Sequence, residues 1–486
     1  MPVSKEKKKV VRKARKDPHS WIRRWSAQEM KGSPDIERIS KRYMRSLDRG
    51  RTEREAVVYW KEIFDSAGYV DISNIPDSPP VEGQGFYLIN RGKQMMVGVV
   101  GKAPIRDGLN IIATHLDSPR LDLKPRPVDG DPDTGLGLLR THYYGGIKKY
   151  HWVNIPLSLH GVIVKESGEI VNVRIGDRKN DPVFVIPDLL PHLYGKTQGK
   201  RKLQDGILGE ELVALTGTGS IPDDADDKPS IVMDILRTLR RRYGVIEEDL
   251  ISSELCLIPS WKPRELGLDR GMIAAYGQDN KVSCFCANEA ILGITAAEKI
   301  PARWSMTLHF DKEEIGSDGS TGAKSEFLEL ALYRLLEWTG ARGRRSEMNR
   351  TLSSSFAVSL DVKSGVNPIF KGVQDSHNSA RLGAGITITK YTGKGGKSAA
   401  NDASAEMVSA IRRLYNREGI VWQMQETGKV DQGGGGTVAK FLASRNMDVI
   451  DNGVPLLSMH SPYEVSSKSD IAMTVKAMSV FMEKFS

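Results

Sequence analysis

The feature that most constrains the fold is an apolar run, Trp304–Phe310, that is followed closely by two adjacent glutamates. The run alternates as Trp-Ser-Met-Thr-Leu-His-Phe and predicts a β-strand, and Gly316 predicts a turn after it. Neighbouring side chains on extended backbone point in different directions, so Glu313 and Glu314 can take different roles beyond the strand end. One can hold a cation while the other holds a water molecule. Taken alone, such an acidic cluster is more often a solvated surface loop.

The length of the chain favours two domains, because 486 residues exceed what one hydrophobic core usually organises. Between residues 121 and 262, proline and glycine become frequent, and residues 161–165 and 170–174 are spaced as the strands of a hairpin. We therefore expect residues 121–262 to form an inserted β-rich domain that contains one helix, Ser230–Tyr243.

The segments on either side of this insert alternate between helical and strand patterns. Such alternation predicts an α/β layer around a parallel or mixed sheet, here a domain made of residues 17–120 and 263–486. The predicted strands are 86–90, 94–100, Leu109–His115, 305–310, 357–360, 421–425 and 447–450. The predicted helices are 35–47, 52–67, 288–299, 324–339, 404–418, 437–445 and 467–485.

The positive charge of the chain is concentrated in its first residues. Residues 1–16 contain eight basic residues and one acid, which accounts for most of the formal net charge of +9. The rest of the chain carries only about +2, too little to extend a nucleic-acid footprint. We interpret residues 1–16 as a flexible basic tail and expect no nucleic-acid partner.

Neither a membrane nor a disulfide framework is expected. No apolar run approaches the length that crosses a bilayer, and no N-terminal stretch has the apolar core of a secretory signal. The three cysteines are Cys256, Cys284 and Cys286, and the last two alternate on a predicted strand, which is not a zinc-binding spacing. Buried free thiols in a cytoplasmic protein are the better interpretation.

Five stretches place metal-binding residue types at strand ends or in the loops that follow. Open α/β sheets gather ligands at the carboxyl edge of their strands, so we expect these side chains to meet. Two histidines, three carboxylates and a spare glutamate match a two-metal hydrolytic site, in which Asp117 can orient the His115 imidazole. Taken singly, each residue has an ordinary structural explanation. The stretches are His115-Leu-Asp117, Gln278-Asp279-Asn280, Glu313-Glu314, Asp361 and His460.

The motifs around these residues resemble those of the M18 family of dinuclear zinc aminopeptidases, in order and rough spacing, from about residue 35 to the end. The related M42 and M20/M28 peptidases lack the Asp-Ser-Pro extension after the first histidine. The most specific motif is Leu-Leu-Ser-Met-His-Ser-Pro-Tyr-Glu at 456–464. The others are Thr114-His-Leu-Asp-Ser-Pro-Arg120, Asp279-Asn280, Glu313-Glu314-Ile-Gly316 and Ser359-Leu-Asp361.

The resemblance implies two zinc ions per subunit, with Co²⁺ or Mn²⁺ as substitutes. Asp279 would bridge the two ions. His115 and Asp361 would complete the ligands of one ion, and Glu314 and His460 those of the other, although the assignment of ligands to individual ions stays open. The implied fold is a zinc-peptidase domain with a mixed sheet flanked by helices, plus a β-rich dimerisation insert.

The resemblance also implies the proton transfers and the substrate. Glu313 would act as general base, taking a proton from the attacking water and returning it to the leaving amine. Asp117 would support catalysis through His115. The implied activity is removal of the first residue from peptides.

The family's insert builds homodimers, which assemble into a tetrahedral dodecamer, and the insert predicted here matches it in place and composition. Residues 186–192, Ile-Pro-Asp-Leu-Leu-Pro-His, resemble the segment that sends a histidine into the neighbouring subunit's active site. His192 is therefore a candidate substrate-binding residue across an interface. A histidine in a surface loop is the alternative.

The loop after Asp361 departs from the family's pattern. Members that cleave acidic residues usually carry histidines there in a His-Pro-Asn-Tyr context, whereas Ser364 and Asn367-Pro-Ile-Phe370 occupy these positions here. The sequence therefore predicts an aminopeptidase and leaves a preference for Asp or Glu open.

A glycine-rich loop, 429–437, is interpreted as a substrate-facing loop. It reads Lys-Val-Asp-Gln-Gly-Gly-Gly-Gly-Thr and includes Lys429, Asp431 and Gly435 as candidate substrate-binding residues. Lys390 is a further candidate, because either lysine can neutralise a substrate carboxylate as a point charge. A solvated lysine on a polar loop is the ordinary alternative.

Two other function classes compete with an aminopeptidase. A co-catalytic zinc deacylase or carboxypeptidase would need a fixed arginine for the substrate α-carboxylate, and the sequence singles out none. A binding scaffold that has lost its metals is the non-enzymatic alternative, but all five candidate ligands and Glu313 are present. The metal content per subunit separates the scaffold from the two enzymes.

Overall fold

The computed structural model describes residues 32–219, 230–341 and 343–486, so the predicted basic tail at 1–16 lies outside the described residues. None of the helices in these ranges combines the length and the apolarity that crossing a membrane requires. The helices are α1 (Pro34–Arg49), α2 (Glu53–Ser66), α3 (Ser230–Tyr243), α4 (Gln278–Ala296), α5 (Phe327–Trp338), α6 (Arg345–Ser353), α7 (Ala405–Glu418), α8 (Ala439–Ala443) and α9 (Lys468–Lys484).

Within the described ranges, the strands form three sheets. In chain order they are β1 (Val70–Asp71), β2 (Gly85–Asn90), β3 (Gln94–Val99), β4 (Leu109–His115), β5 (Arg120–Gly130), β6 (Leu136–Tyr144), β7 (Leu157–Val164), β8 (Ile170–Ile175), β9 (Val213–Thr218), β10 (Ser253–Pro259), β11 (Arg264–Leu266), β12 (Met272–Ala275), β13 (Trp304–Phe310), β14 (Phe356–Leu360), β15 (Lys363–Ser364), β16 (Ile386–Thr389), β17 (Trp422–Met424), β18 (Asp448–Gly453), β19 (Pro455–Leu457) and β20 (Glu464–Ser467).

The largest sheet has nine strands in the order β1-β2-β3-β13-β4-β14-β18-β16-β17. Its four central strands, from β13 to β18, run parallel, while β3 and β16 are antiparallel to their central neighbours. Every residue of β4 and β13 is buried, because α4 and α9 cover one face and α5 and α8 the other. The predicted α/β fold with a mixed sheet flanked by helices is confirmed.

Two caps explain where the first helices begin. Ser33 precedes α1, and its hydroxyl accepts a hydrogen bond from the amide of Ile36 at 3.3 Å. Thr52 and Glu55 form a reciprocal capping box at the start of α2. These bonds satisfy amides that have no partner within the helix itself.

A second sheet has five strands in the order β11-β12-β20-β19-β15. Its strands border three of the candidate metal ligands. Asp279 follows β12, His460 follows β19, and Asp361 lies two residues before β15. Strand β20 pairs with both β12 and β19, so it ties these two lead-in segments together.

The third sheet lies between Arg120 and Pro259 and has the order β8-β7-β10-β5-β6-β9, with antiparallel pairing throughout. The predicted hairpin is β7 and β8, and the predicted helix has the observed bounds of α3. The sheet has its own apolar core around Trp152 and Leu257. A buried ion pair at 3.1 Å joins this sheet to the N-terminal helices: Asp177 follows β8, and Arg51 lies between α1 and α2.

One sequence interpretation is wrong. Cys284 and Cys286 do not lie on a strand but inside α4, which begins ten residues before the helix predicted at 288–299. The alternation in Ser-Cys-Phe-Cys-Ala resembles a strand, but the segment is helical. Its helical periodicity is hidden because this helix is buried on nearly every side over its first 14 residues. Both thiols are free and buried, as is Cys256, so the prediction of buried free thiols is confirmed.

Candidate active site

Three adjacent parallel strands deliver four of the candidate residues to one edge of the nine-stranded sheet. His115 ends β4, and Glu313 and Glu314 lie in a short helical turn after β13. Asp361 directly follows β14. Because β13 and β14 both pair with β4 in parallel, their carboxyl ends meet at one place.

The other two candidates arrive from the five-stranded sheet. Asp279 lies in the irregular first turn of α4, where its own φ/ψ angles are not helical. His460 lies in the turn after β19 with a positive φ of 63°. The structure therefore brings all five candidate metal ligands together, although Asp279 comes from a helix start instead of a strand end.

Asp279 is the central carboxylate of this cluster. Its Oδ1 lies 3.5 Å from Nε2 of His115, and its Oδ2 lies 3.2 Å from Nε2 of His460. Nε2 of His115 is also 3.6 Å from Asp361 Oδ1. Nε2 of His460 is 3.3 Å from Glu314 Oε2. The two oxygens of one carboxylate thus face two different sets of metal-binding atoms.

Asp117 organises the neighbourhood without joining either set. It is fully buried, and its carboxylate lies 3.2 Å from Nδ1 of His115. It also accepts hydrogen bonds from the amides of Glu313 at 3.2 Å and Glu314 at 3.1 Å, and from the hydroxyl of Tyr144 at 2.9 Å. A carboxylate that accepts from Nδ1 leaves Nε2 of His115 free to bind a cation.

The sequence interpretation missed three residues that hydrogen-bond to the cluster or to Asp117: Glu464, Gly146 and Tyr144. The Glu464 carboxylate accepts the amide of His460 at 2.8 Å and that of Asp279 at 3.1 Å. The carbonyl of Gly146 accepts a hydrogen bond from Nδ1 of His460 at 2.9 Å, which again leaves Nε2 for a cation. Only Glu464 had a sequence signal, because it ends the motif that contains His460.

The electrostatics of the cluster reflect crowded carboxylates. Burial raises the pKa of Glu313 to about 8, and burial together with Asp279 raises the pKa of Glu314 well above its usual range. Burial also opposes ionisation of Asp279, but its contacts with His115 and His460 outweigh that effect and lower its pKa. The pKa of His460 rises to about 10, because Asp279 and Glu314 outweigh its burial.

The residues present fit a divalent metal. Ligand atoms of His115, Asp279 and Glu314 all lie within 4.8 Å of one another. Glu314 Oε1 is buried and has no hydrogen-bond partner, which is costly for a carboxylate unless a cation is bound nearby. Imidazole and carboxylate donors are the set that zinc accepts, and a cation would favour the ionised carboxylates.

The five candidate substrate-binding residues lie elsewhere, and within the described part of the chain none of them makes a hydrogen bond or ion pair with the cluster. His192 is exposed in a turn-rich segment between β8 and β9. Lys390 is half-buried just after β16, while Lys429, Asp431 and Gly435 are exposed in the loop before α8. Their proposed roles stay predictions.

His115 and several carboxylates lie at the carboxyl edge of an α/β sheet, and His460 and Asp279 join them from a neighbouring sheet; such a cluster defines a class, the metal-dependent hydrolases. The family model described as aminopeptidase I zinc metalloprotease (M18) matches residues 46–482. The chain therefore belongs to the M18 family, and it is a zinc-dependent aminopeptidase.

Individual relatives are similar to this protein over nearly its whole chain. A probable M18 family aminopeptidase 1 of Thermotoga maritima is 43% identical over 450 residues, covering 93% of this chain and 96% of that protein. The crystal structure of an M18 aminopeptidase from T. maritima has a TM-score of 0.89 at 42% identity, covering 95% of this chain and 99% of that chain. The mApe1 dodecamer of S. cerevisiae shares the fold, with a TM-score of 0.74 at 23% identity over 92% of this chain and 97% of that chain.

Proposed function

We propose that the protein hydrolyses the first peptide bond of peptides with two divalent metal ions per subunit, zinc in the first place and Co²⁺ or Mn²⁺ as substitutes. The proposal rests on the orientation of Asp279, whose Oδ1 faces His115 and whose Oδ2 faces His460. One ion would be held by His115, Asp361 and Asp279, and the other by Asp279, Glu314 and His460. The bound ions would supply Lewis acidity that activates water and stabilises negative charge on the substrate carbonyl.

Glu313 is the proposed general base. Its side chain is 18% exposed, whereas that of Glu314 is only 4% exposed, so Glu313 is the glutamate that solvent and substrate can reach. Its Oε2 lies 3.9 Å from Nε2 of His115, beside the atoms that would hold the first ion. From this position it takes a proton from the attacking water and passes it to the leaving amine.

A matched pair of variants tests these roles. Glu313→Gln should keep two metal ions per subunit and lose about 10²–10⁴-fold in kcat, the usual worth of a general base. Glu314→Gln should instead lose metal, because it removes a ligand. Metal content is measured by elemental analysis after gel filtration. A Glu313→Gln variant that loses metal together with activity would contradict the base assignment, and one ion in the wild type would contradict the bridging role of Asp279.

Substrate selection is the finer part of the proposal: a preference for an acidic first residue, whose carboxylate lysine side chains would attract. Lys371 and Lys429 line one groove together with Gln374 and a single acid, Asp375. Gln374 donates to the hydroxyl of Ser364, three residues after Asp361, at 3.0 Å. A panel of peptides that differ in the first residue, each free and N-acetylated, separates the alternatives. Release of the first residue from free peptides only, with Asp and Glu leading, is expected. Cleavage of the acetylated set would indicate a deacylase.

The lysine contribution has its own matched control. Lys429→Met should raise KM for Asp and Glu peptides by about two- to fivefold, the range of an exposed ion pair, and leave KM for alanine peptides unchanged. Lys102→Met, another exposed lysine, should leave both unchanged. Equal effects on acidic and neutral peptides would remove Lys429 from substrate recognition.

We further propose that residues 121–262 form an assembly domain on the catalytic domain of residues 17–120 and 263–486, and that His192 reaches a neighbouring subunit. The yeast relative is a dodecamer. This insert exposes large apolar side chains, with Leu193 63% and Leu203 72% exposed. The double variant Leu193→Glu/Leu203→Glu should reduce the mass measured by analytical ultracentrifugation, while Leu268→Glu, exposed outside the insert, should not.

The buried free thiols favour a cytoplasmic location.

A further inference from the structure

We infer that residues 144–146, at the end of β6 in the six-stranded sheet, are a positioning element of the metal centre. The Tyr144 side chain and the Gly145–Gly146 backbone lie against Asp117, Glu314 and His460, which stand in the loops after β4, β13 and β19 of the other two sheets. The inference rests on the proposed metal-binding function and adds residues to it. It also means that the six-stranded sheet completes the catalytic centre of its own chain.

Tyr144 holds Asp117 from the side of the six-stranded sheet. Its hydroxyl donates to Asp117 Oδ2 at 2.9 Å, and both residues are buried. The Tyr144 ring is fixed in turn, because the Arg120 guanidinium stacks on it with 4.2 Å between the guanidinium carbon and the ring centre. Arg120 is held by an ion pair with the buried Glu53 at 2.8 Å.

Asp117 transmits this contact to the candidate ligands. Its Oδ1 lies against His115 Nδ1 and the Glu313 amide, while its Oδ2 accepts from the Glu314 amide and Tyr144. Removing the Tyr144 hydroxyl would leave Oδ2 with one donor and free the carboxylate to rotate. The orientations of His115 and of the turn that carries both glutamates depend on that carboxylate.

The two glycines after Tyr144 lie beside Glu314 and His460. Gly145 has a φ of +77°, and its backbone passes beside Glu314, so that a Cβ there would be in van der Waals contact with the Cβ of Glu314 at 3.4 Å. The next carbonyl, of Gly146, accepts Nδ1 of His460 at 2.9 Å. The bond directs the Nδ1 proton to this carbonyl and turns Nε2 of His460 towards Asp279 and Glu314.

A Tyr144→Phe variant tests the inference against a control on the same strand. Tyr143 is the adjacent residue; its side chain points to the other face of the sheet and is 41% exposed. Zinc affinity is measured by competition with a chromophoric chelator. The absorption spectrum of the cobalt-substituted protein reports ligand geometry separately from activity. Tyr144→Phe should bind zinc about 10–100-fold more weakly and shift the cobalt bands, as expected for outer-shell partners, whereas Tyr143→Phe should match the wild type.

Each outcome bears on one idea. Wild-type protein that binds no zinc would overturn the proposed function itself. Wild-type protein that binds zinc while both tyrosine variants match it would overturn the positioning role. Because Tyr144→Phe removes one oxygen and keeps the ring in place, the metal-free variants should unfold at similar temperatures, which separates a general loss of packing from a local one.

A double-mutant cycle identifies the route of the effect. If Tyr144 acts through Asp117, Tyr144→Phe should have almost no further effect on zinc affinity once Asp117→Asn is present. A full additional loss in the Asp117→Asn background would show that Tyr144 acts by another route and would refute the role assigned to it.

Discussion

Replacing Glu464 by glutamine should weaken metal binding although Glu464 is not itself a candidate ligand. The residue is 1% exposed, and its two carboxylate oxygens accept one amide each, from His460 at 2.8 Å and from Asp279 at 3.1 Å. These two amides belong to candidate ligands from different segments. Glu464 therefore fixes the distance between the two segments that would share the second ion.

The size of the effect follows from what glutamine can accept. Glutamine has one acceptor oxygen and one NH₂ group, so in either orientation one of the two amides faces a donor instead of an acceptor. Leaving one buried amide without an acceptor costs about 1–3 kcal/mol. Since about 1.4 kcal/mol corresponds to a factor of ten, a loss expressed fully in binding would weaken zinc affinity about 10–100-fold.

The assay is a zinc competition titration on the Glu464→Gln variant, with the thermal midpoint of the metal-free protein measured in parallel. Glu166→Gln is the matched control, because Glu166 is exposed in the hairpin turn between β7 and β8. Unchanged zinc affinity in a folded Glu464→Gln variant would refute the argument. A lower midpoint with normal affinity would show that Glu464 stabilises the fold without positioning the ligands.

Three further predictions follow from other contacts. Thr52→Ala should destabilise the protein by about 1 kcal/mol in urea unfolding, because the capping box of α2 loses its hydroxyl acceptor. His160→Gln should cost more stability at pH 6 than at pH 9. Asp177 and Glu55 outweigh the effect of burial and raise the pKa of His160 in the folded protein. The contribution of His160 to stability is therefore complete below its unfolded-state pKa and is lost as the pH rises through its folded-state pKa. Unfolding scans of wild type and variant at both pH values measure this. Chelation should abolish peptide hydrolysis and lower the thermal midpoint, and added zinc should restore both, because the metal binds the folded state only.

The strand ends could be predicted from the sequence because their signals are local. The Leu109–His115 and Trp304–Phe310 runs are short, apolar and followed by polar residues, so they indicated strands, and parallel pairing then brought His115, Glu313 and Asp361 to one edge. The contacts of Gly146 with His460 and of Glu464 with Asp279 span 314 and 185 residues of chain. No periodicity in one segment reports such a partner, and a backbone carbonyl carries no sequence signal of its own.

The strand predicted at Cys284 and Cys286 was wrong because α4 is buried on all sides, and the same burial holds Asp279 in place. Periodicity identifies a helix through the contrast between a buried and an exposed face, and the first 14 residues of α4, from Gln278 to Ile291, have no exposed face. Burial on all sides also restricts how the helix can move, because it packs against β3, β4 and α9. Asp279 lies at the start of this enclosed helix, so its carboxylate is held between His115 and His460 by the packing that removed the helical pattern from the sequence.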